Sequence, residues 1–245
     1  MKKLLLLLVA LVPGFAFAAG GNNEHVVHAD IDLTDKASLQ RGAQLFMNYC
    51  LGCHQMQYQR YERTFNDLDI PVEIGKDSLI FSGEKVGNHI TNGMDSKQAS
   101  KWFGAPPPDL TLEARLRGPD WVYSYLISFY KDPSRPFGVN NLVFPNVGMP
   151  HVLEELQGLP TKKFETALVD GENKERFIGL ESDGTGRMSP DEYNQAALDL
   201  TNFLTYVGEP MRLEREALGY KVIVFLLVFL VFSYLLKKEY WRDVH

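Results

Sequence analysis

Apolar residues gather at the two ends of this chain and are broken by turn residues between them. Residues 4–17 form an apolar run behind the basic start Met1-Lys2-Lys3, and Ala16-Phe17-Ala18 supplies a small-x-small cleavage site. That order is the pattern of a secretory signal peptide, so residues 1–18 are set aside from the fold. A retained N-terminal anchor is the competing reading, but the run is short and carries Pro13 and Gly14. The second run, residues 219–236, reads "GYKVIVFLLVFLVFSYLL". A helix of roughly 18–20 such residues is about as long as the bilayer's hydrocarbon core is thick. Lys221 can snorkel, and Tyr220, Tyr234 and Trp241 stand where interfacial anchors belong. Residues 219–236 are therefore read as a transmembrane helix, with a juxtamembrane linker at 212–218 and a tail at 237–245. Arg212, Arg215 and Lys221 before the span balance Lys237, Lys238 and Arg242 after it, so charge does not set the orientation. The leader does: residues 19–211 are exported and the tail stays in the cytoplasm.

Between the two runs the periodicity is helical in three places. Leu39, Ala43, Phe46 and Cys50 recur at helical spacing and predict a helix from Thr34 or Ser38 that delivers Cys50 near its end. "PDWVYSYLISFY" predicts a second helix after Gly118. The best-marked helix starts at Ser189, with Pro190 at its first position and Glu192 at the capping-box position, and is closed by Gly208 and Pro210. Residues 66–118 and 131–187 are rich in Gly, Pro and Asn and are read as long loops. The expectation is a mainly α domain with long loop insertions plus one C-terminal transmembrane helix.

The formal charge of −6 argues against nucleic acid as a partner. Glu154-Glu155 and the acidic stretch at 170–183 are candidates for steering a basic partner, or they are simply solvated.

The chain has two cysteines, and both lie in "NYCLGCHQM". Cys50 and Cys53 followed by His54 form the Cys-x-x-Cys-His signature of c-type haem attachment. Each thiol forms a thioether to one haem vinyl group, and the adjoining imidazole reaches the iron as proximal ligand. A thioredoxin-like pair would expect a βαβ context, and a zinc or iron–sulfur site would need further cysteines. One covalently bound c-type haem is the expected cofactor. For the second axial ligand, Met94, Met149 and Met188 lie in turn-rich contexts. Met188 is preferred because it directly precedes the capped helix, which gives it rigid support. Met149 stands second, and His89 or His151 would make a bis-histidine haem.

The segments "LQRGAQLFMNYCLGCHQMQYQRY", "PPPDLTLEARLRGPDWVYSYL" and "DGTGRMSPDE", with one C-terminal span, closely resemble cytochrome c1. That family is the membrane-anchored haem subunit of the ubiquinol–cytochrome c oxidoreductase. The resemblance implies a cytochrome c-like haem domain, Cys50 and Cys53 as thioether sites, and His54 and Met188 as axial ligands. It also implies that Arg117 pairs with a haem propionate, with Arg115 as the open alternative, and that the Pro107-Pro108 segment packs at the haem edge. A carbonyl near Pro108 is a candidate acceptor for the His54 Nδ1–H. The implied partners are the cytochrome b subunit, the Rieske iron–sulfur protein, a c-type cytochrome acceptor and the lipid bilayer. The leader suits a bacterial form, with the haem domain on the periplasmic side of the inner membrane. Two other functions stay open: a stand-alone membrane-anchored cytochrome c serving another terminal enzyme, and a tethered thiol–disulfide oxidoreductase.

Overall fold

The computed structural model describes residues 24–169 and 172–244, so the leader at 1–18 lies outside the described residues. Helix α1 (Lys36–Leu45) begins where the Asp35 side chain accepts a hydrogen bond from the Ser38 amide. It runs into a π-helical turn, Phe46–Cys50, closed by the Leu51 amide donating to the Phe46 carbonyl at 2.9 Å. Strand β1 (Met56–Arg60) pairs antiparallel with β2 (His89–Ile90). Around them lie α2 (Tyr61–Asp67), α3 (Val72–Leu79) and α4 (Ser96–Phe103). The segment read as a loop from its Gly and Pro content thus contains helical turns, each too short to show a full amphipathic repeat.

Helix α5 (Glu113–Arg117) and α6 (Pro119–Ile127) follow the proline-rich segment. A tight ribbon of β3 (Phe129–Lys131) and β4 (Val139–Asn141) leads to α7 (Glu154–Gln157). The stretch from Thr161 to Glu181, expected as loop, is an antiparallel hairpin of β5 (Thr161–Val169) and β6 (Glu172–Glu181). Residues 161–166 are all exposed, so no buried face imposes the alternation by which strands are recognised. The acidic residues here are also partly compensated: Glu181 pairs with Lys163 at 2.8 Å and Glu155 with Arg187 at 2.6 Å.

Helix α8 (Pro190–Gly208) carries the predicted capping box, with Ser189 accepting from the Glu192 amide. It is the centre of the core. Gly42 of α1 sits directly on it: a Cβ there would lie 2.1 Å from the Asp199 carbonyl oxygen. This close crossing is clasped by a buried carboxylate. Asp199 accepts from Ser38 Oγ at 2.7 Å, Arg41 Nε at 2.6 Å and Arg41 Nη2 at 2.9 Å. A buried charge is tolerable when its acceptor positions are filled in this way. Helix α6 packs on the same helix, with the Tyr193 hydroxyl donating to the Leu126 carbonyl at 2.9 Å. Phe46, Met56, Phe65, Leu200 and Phe203 fill the space between.

Helix α9 (Arg212–Tyr240) follows after a short turn. The linker expected at 212–218 is helical, so α9 starts a full two turns before the apolar run. Glu209 stabilises this junction, accepting from Arg215 at 2.5 Å and pairing with Arg115 of α5 at 3.6 Å. No residue of α9 is buried, and the helix is long and apolar enough to cross a membrane.

Candidate functional site

The Cys-x-x-Cys-His motif leaves α1 through the π-helical turn, a distortion that recurs at functional sites because it re-aims the following residues. The Cys53 and His54 amides both donate to the Cys50 carbonyl, at 3.0 and 2.8 Å, which winds the motif into one tight turn. Asn92 Nδ2 donates to the Leu51 carbonyl at 2.9 Å and holds that turn from outside. Beyond His54 the chain is stapled to the proline-rich segment. The Leu110 amide donates to the Gln55 carbonyl at 2.9 Å, and the Gln57 amide to Asp109 at 2.8 Å.

These contacts set the histidine's tautomer. Its Nδ1 lies 2.8 Å from the Pro108 carbonyl oxygen, which can only accept, so Nδ1 carries the proton. Nε2 is then a bare lone pair, and it makes no hydrogen bond among the described residues. Burial pulls the His54 pKa down, against the bond to Pro108, and keeps the imidazole neutral. A neutral ring oriented through Nδ1–H to a carbonyl is the usual state of a metal-ligating histidine.

The motif opens onto a cavity of about 540 Å³, within the range of roughly 300–1,000 Å³ usual for small-molecule and cofactor sites. Cys50, Cys53, His54, Pro108 and Arg117 all line it. Met188 does not. Its amide donates to the Leu156 carbonyl at 3.0 Å, and its side chain packs half-buried against the main core. Met149 lines the cavity instead, and its Sδ accepts a hydrogen bond from the Tyr125 hydroxyl at 3.3 Å. His89 and Met94 are not in the lining, and His151 is buried in stacking contact with Phe129, their ring centroids 4.8 Å apart. Met188 does precede α8, but its bond to Leu156 holds it beside α7, outside the cavity lining.

The two candidate arginines separate as well. Arg117 reaches the cavity with its guanidinium 4.3 Å from the Trp121 ring centroid, and its Nε donates to Glu113 at 2.8 Å. Arg115 points the other way, to Glu209 at the junction with α9. Sequence reasoning passed over Tyr125, Trp121, Phe144 and Arg135, all of which line the cavity. Nothing in their local spacing marks them, because three separate segments bring them together.

The donor set suits a haem. Two unpaired thiols, a neutral imidazole with a bare Nε2 and a soft thioether surround an apolar cavity that also holds cationic groups. It does not suit thiol–disulfide exchange. Burial pushes the Cys50 thiol up to about 12 and raises Cys53 too, whereas a nucleophilic pair needs a lowered pKa.

A helical domain bearing this motif and cavity, followed by an apolar helix able to cross a membrane, defines a haem protein of the anchored-cytochrome class. A family model described as the Cytochrome C1 family matches residues 28–244. The chain is 51% identical to cytochrome c1 of Allochromatium vinosum over 245 residues, 100% of both chains. It is 42% identical to a protein of Nitrosomonas europaea named ammonia monooxygenase gamma subunit, covering 100% of this chain and 99% of that one. With the mitochondrial cytochrome c1 haem protein of Saccharomyces cerevisiae it shares 27% identity, over 90% of this chain and 74% of the relative. The chain belongs to the cytochrome c1 family, the haem-carrying, electron-transfer subunit of the cytochrome bc1 complex.

Proposed function

We propose that this chain holds one haem covalently through Cys50 and Cys53, with His54 and Met149 as axial ligands, and relays single electrons. It receives them from the Rieske iron–sulfur protein and passes them to a c-type cytochrome, on the periplasmic side of a bacterial inner membrane. The bound haem supplies a reversible one-electron couple. The chain breaks no substrate bond. Its residues hold the group, exclude water and set its potential.

One observation carries this reading: His54, tied to the Pro108 carbonyl, shares a single cavity with both thiols and Met149. Neutral imidazole and thioether ligation favour the ferrous state and raise the potential. Apolar walls act in the same direction, by disfavouring the extra positive charge of the ferric state. Arg117, stacked on Trp121 and paired with Glu113, is positioned to hold a haem propionate. Helix α9 anchors the domain beside cytochrome b, with its C-terminal end in the cytoplasm.

The test is a pair of variants in the full-length chain, solubilised from membranes. Met149→Leu should retain covalent haem on the denatured protein, lose the near-infrared methionine-to-iron band and bind external ligands. Met188→Leu should leave all three properties unchanged. The opposite pattern would return the ligand role to Met188. Quinol-dependent reduction of the chain, recovered together with a b-type haem, supports the bc1 assignment. A c-type haem that quinol never reduces would favour service to another oxidase.

A further inference from the structure

Arg135 is the cationic group of the cavity that forms no ion pair with a carboxylate among the described residues. It sits in the turn "DPSRPFG" between β3 and β4, where its amide donates to the Asp132 carbonyl at 3.1 Å and its carbonyl accepts from Gly138 at 2.9 Å. The guanidinium is half-clamped by Asn146: Nη1 donates to Oδ1 at 3.3 Å and Nη2 to the backbone carbonyl at 3.0 Å. Asn146 is itself fixed, in a left-handed conformation at φ 65°, with its amide donating to Asn140 Oδ1 at 2.8 Å. Asn140 in turn donates to Asp132 Oδ2 at 2.9 Å. The Asp132 carboxylate is near enough to feel the charge, yet it is occupied by Ser134 and Asn140 and forms no ion pair with Arg135.

Two consequences follow. The direct partners of this guanidinium are neutral oxygens, whereas Arg117 has Glu113, the one carboxylate residue lining the cavity among the described residues. Arg135 Nε is buried and has no hydrogen-bond partner. A buried donor left unpaired is costly, so a native protein that keeps one at a cavity wall marks a place where a compensating charge is wanted nearby. The forked guanidinium is the side chain best matched to a carboxylate.

We infer that Arg135 is a second positioning residue for the haem, its guanidinium receiving one of the propionate carboxylates and holding it at the cavity. The inference rests on the haem reading above and extends it from the metal ligands to the anionic edge. It assigns a role to the β3–β4 turn, whose hydrogen-bonded chain from Asp132 to Asn146 fixes the direction of one arginine.

The experiment compares the unmutated full-length chain with Arg135→Gln and Arg135→Lys in detergent-solubilised membranes. The readouts are covalent haem on the denatured chain, the resonance Raman propionate-bending band and the midpoint potential. Arg135→Gln should keep covalent haem, shift the propionate band and lower the potential, because a lost cation favours the ferric state. Arg135→Lys restores the charge without the fork, so it should recover the potential more than the band. Should Arg135→Gln fail to accumulate, the band shift in Arg135→Lys carries the same test. A haem-loaded Arg135→Gln with band and potential both unchanged would overturn this inference alone. An unmutated chain without covalent haem would overturn the haem reading with it.

Discussion

Tyr125→Phe isolates one atom beside the proposed distal ligand. The Tyr125 ring stacks on Trp121 at 5.1 Å and meets Phe129 edge-on at 5.2 Å, so phenylalanine can occupy the same place. What is lost is the hydroxyl that donates to Met149 Sδ at 3.3 Å. Burial drives the Tyr125 phenol pKa upward, against a smaller pull from Arg117, so the donor stays protonated at every working pH. A donor on the thioether withdraws electron density from the sulfur. That weakens its support of ferric iron and raises the potential. A net hydrogen bond is worth about 0.5–1.5 kcal/mol. For one electron, about 1.4 kcal/mol corresponds to roughly 59 mV. If the bond counts in one oxidation state only, removing it should lower the potential by at most about 20–65 mV. The sulfur is a weak acceptor, so its loss of a partner carries little desolvation cost. A redox titration of the haem absorbance gives the shift, and the near-infrared band checks that methionine ligation survives. A potential that stays level or rises, with that band intact, would exclude this role for the Tyr125 hydroxyl.

Two further outcomes concern the scaffold. Gly42→Ala places a methyl 2.1 Å from the Asp199 carbonyl and 2.7 Å from Phe203 Cβ, so α1 and α8 must part. The expected loss is about 1–3 kcal/mol or more, read as a lower denaturant midpoint, and an unchanged midpoint would contradict the close crossing. His151 is buried in the stack with Phe129, and burial holds its pKa down at about 4. Because the folded state resists protonation, its contribution is complete above an unfolded pKa of about 6.5 and declines as pH falls toward 4. The full loss is on the order of 3 kcal/mol below both values. His151→Asn should therefore flatten the stability profile between pH 6.5 and 4 relative to the parent, and parallel profiles would count against it.

What could be read from the chain was local. A fixed residue spacing declares the Cys50–His54 motif, a four-residue capping box declares the start of α8, and a continuous apolar run declares α9, because in each the physics acts between near neighbours. The hairpin from Thr161 to Glu181 stayed hidden because residues 161–166 are all exposed, and the pairing that defines it is a matter of register. The site depended on tertiary structure most of all. Met149 and Met188 both follow glycine-bearing turns, and Arg115 and Arg117 share one short helix. Sequence context cannot rank such pairs, since a ligand is chosen by which side chain the packed helices turn toward a common cavity. Packing around α8 turns Met149 and Arg117 inward, sends Arg115 to Glu209, and leaves Met188 on the core beside Leu156.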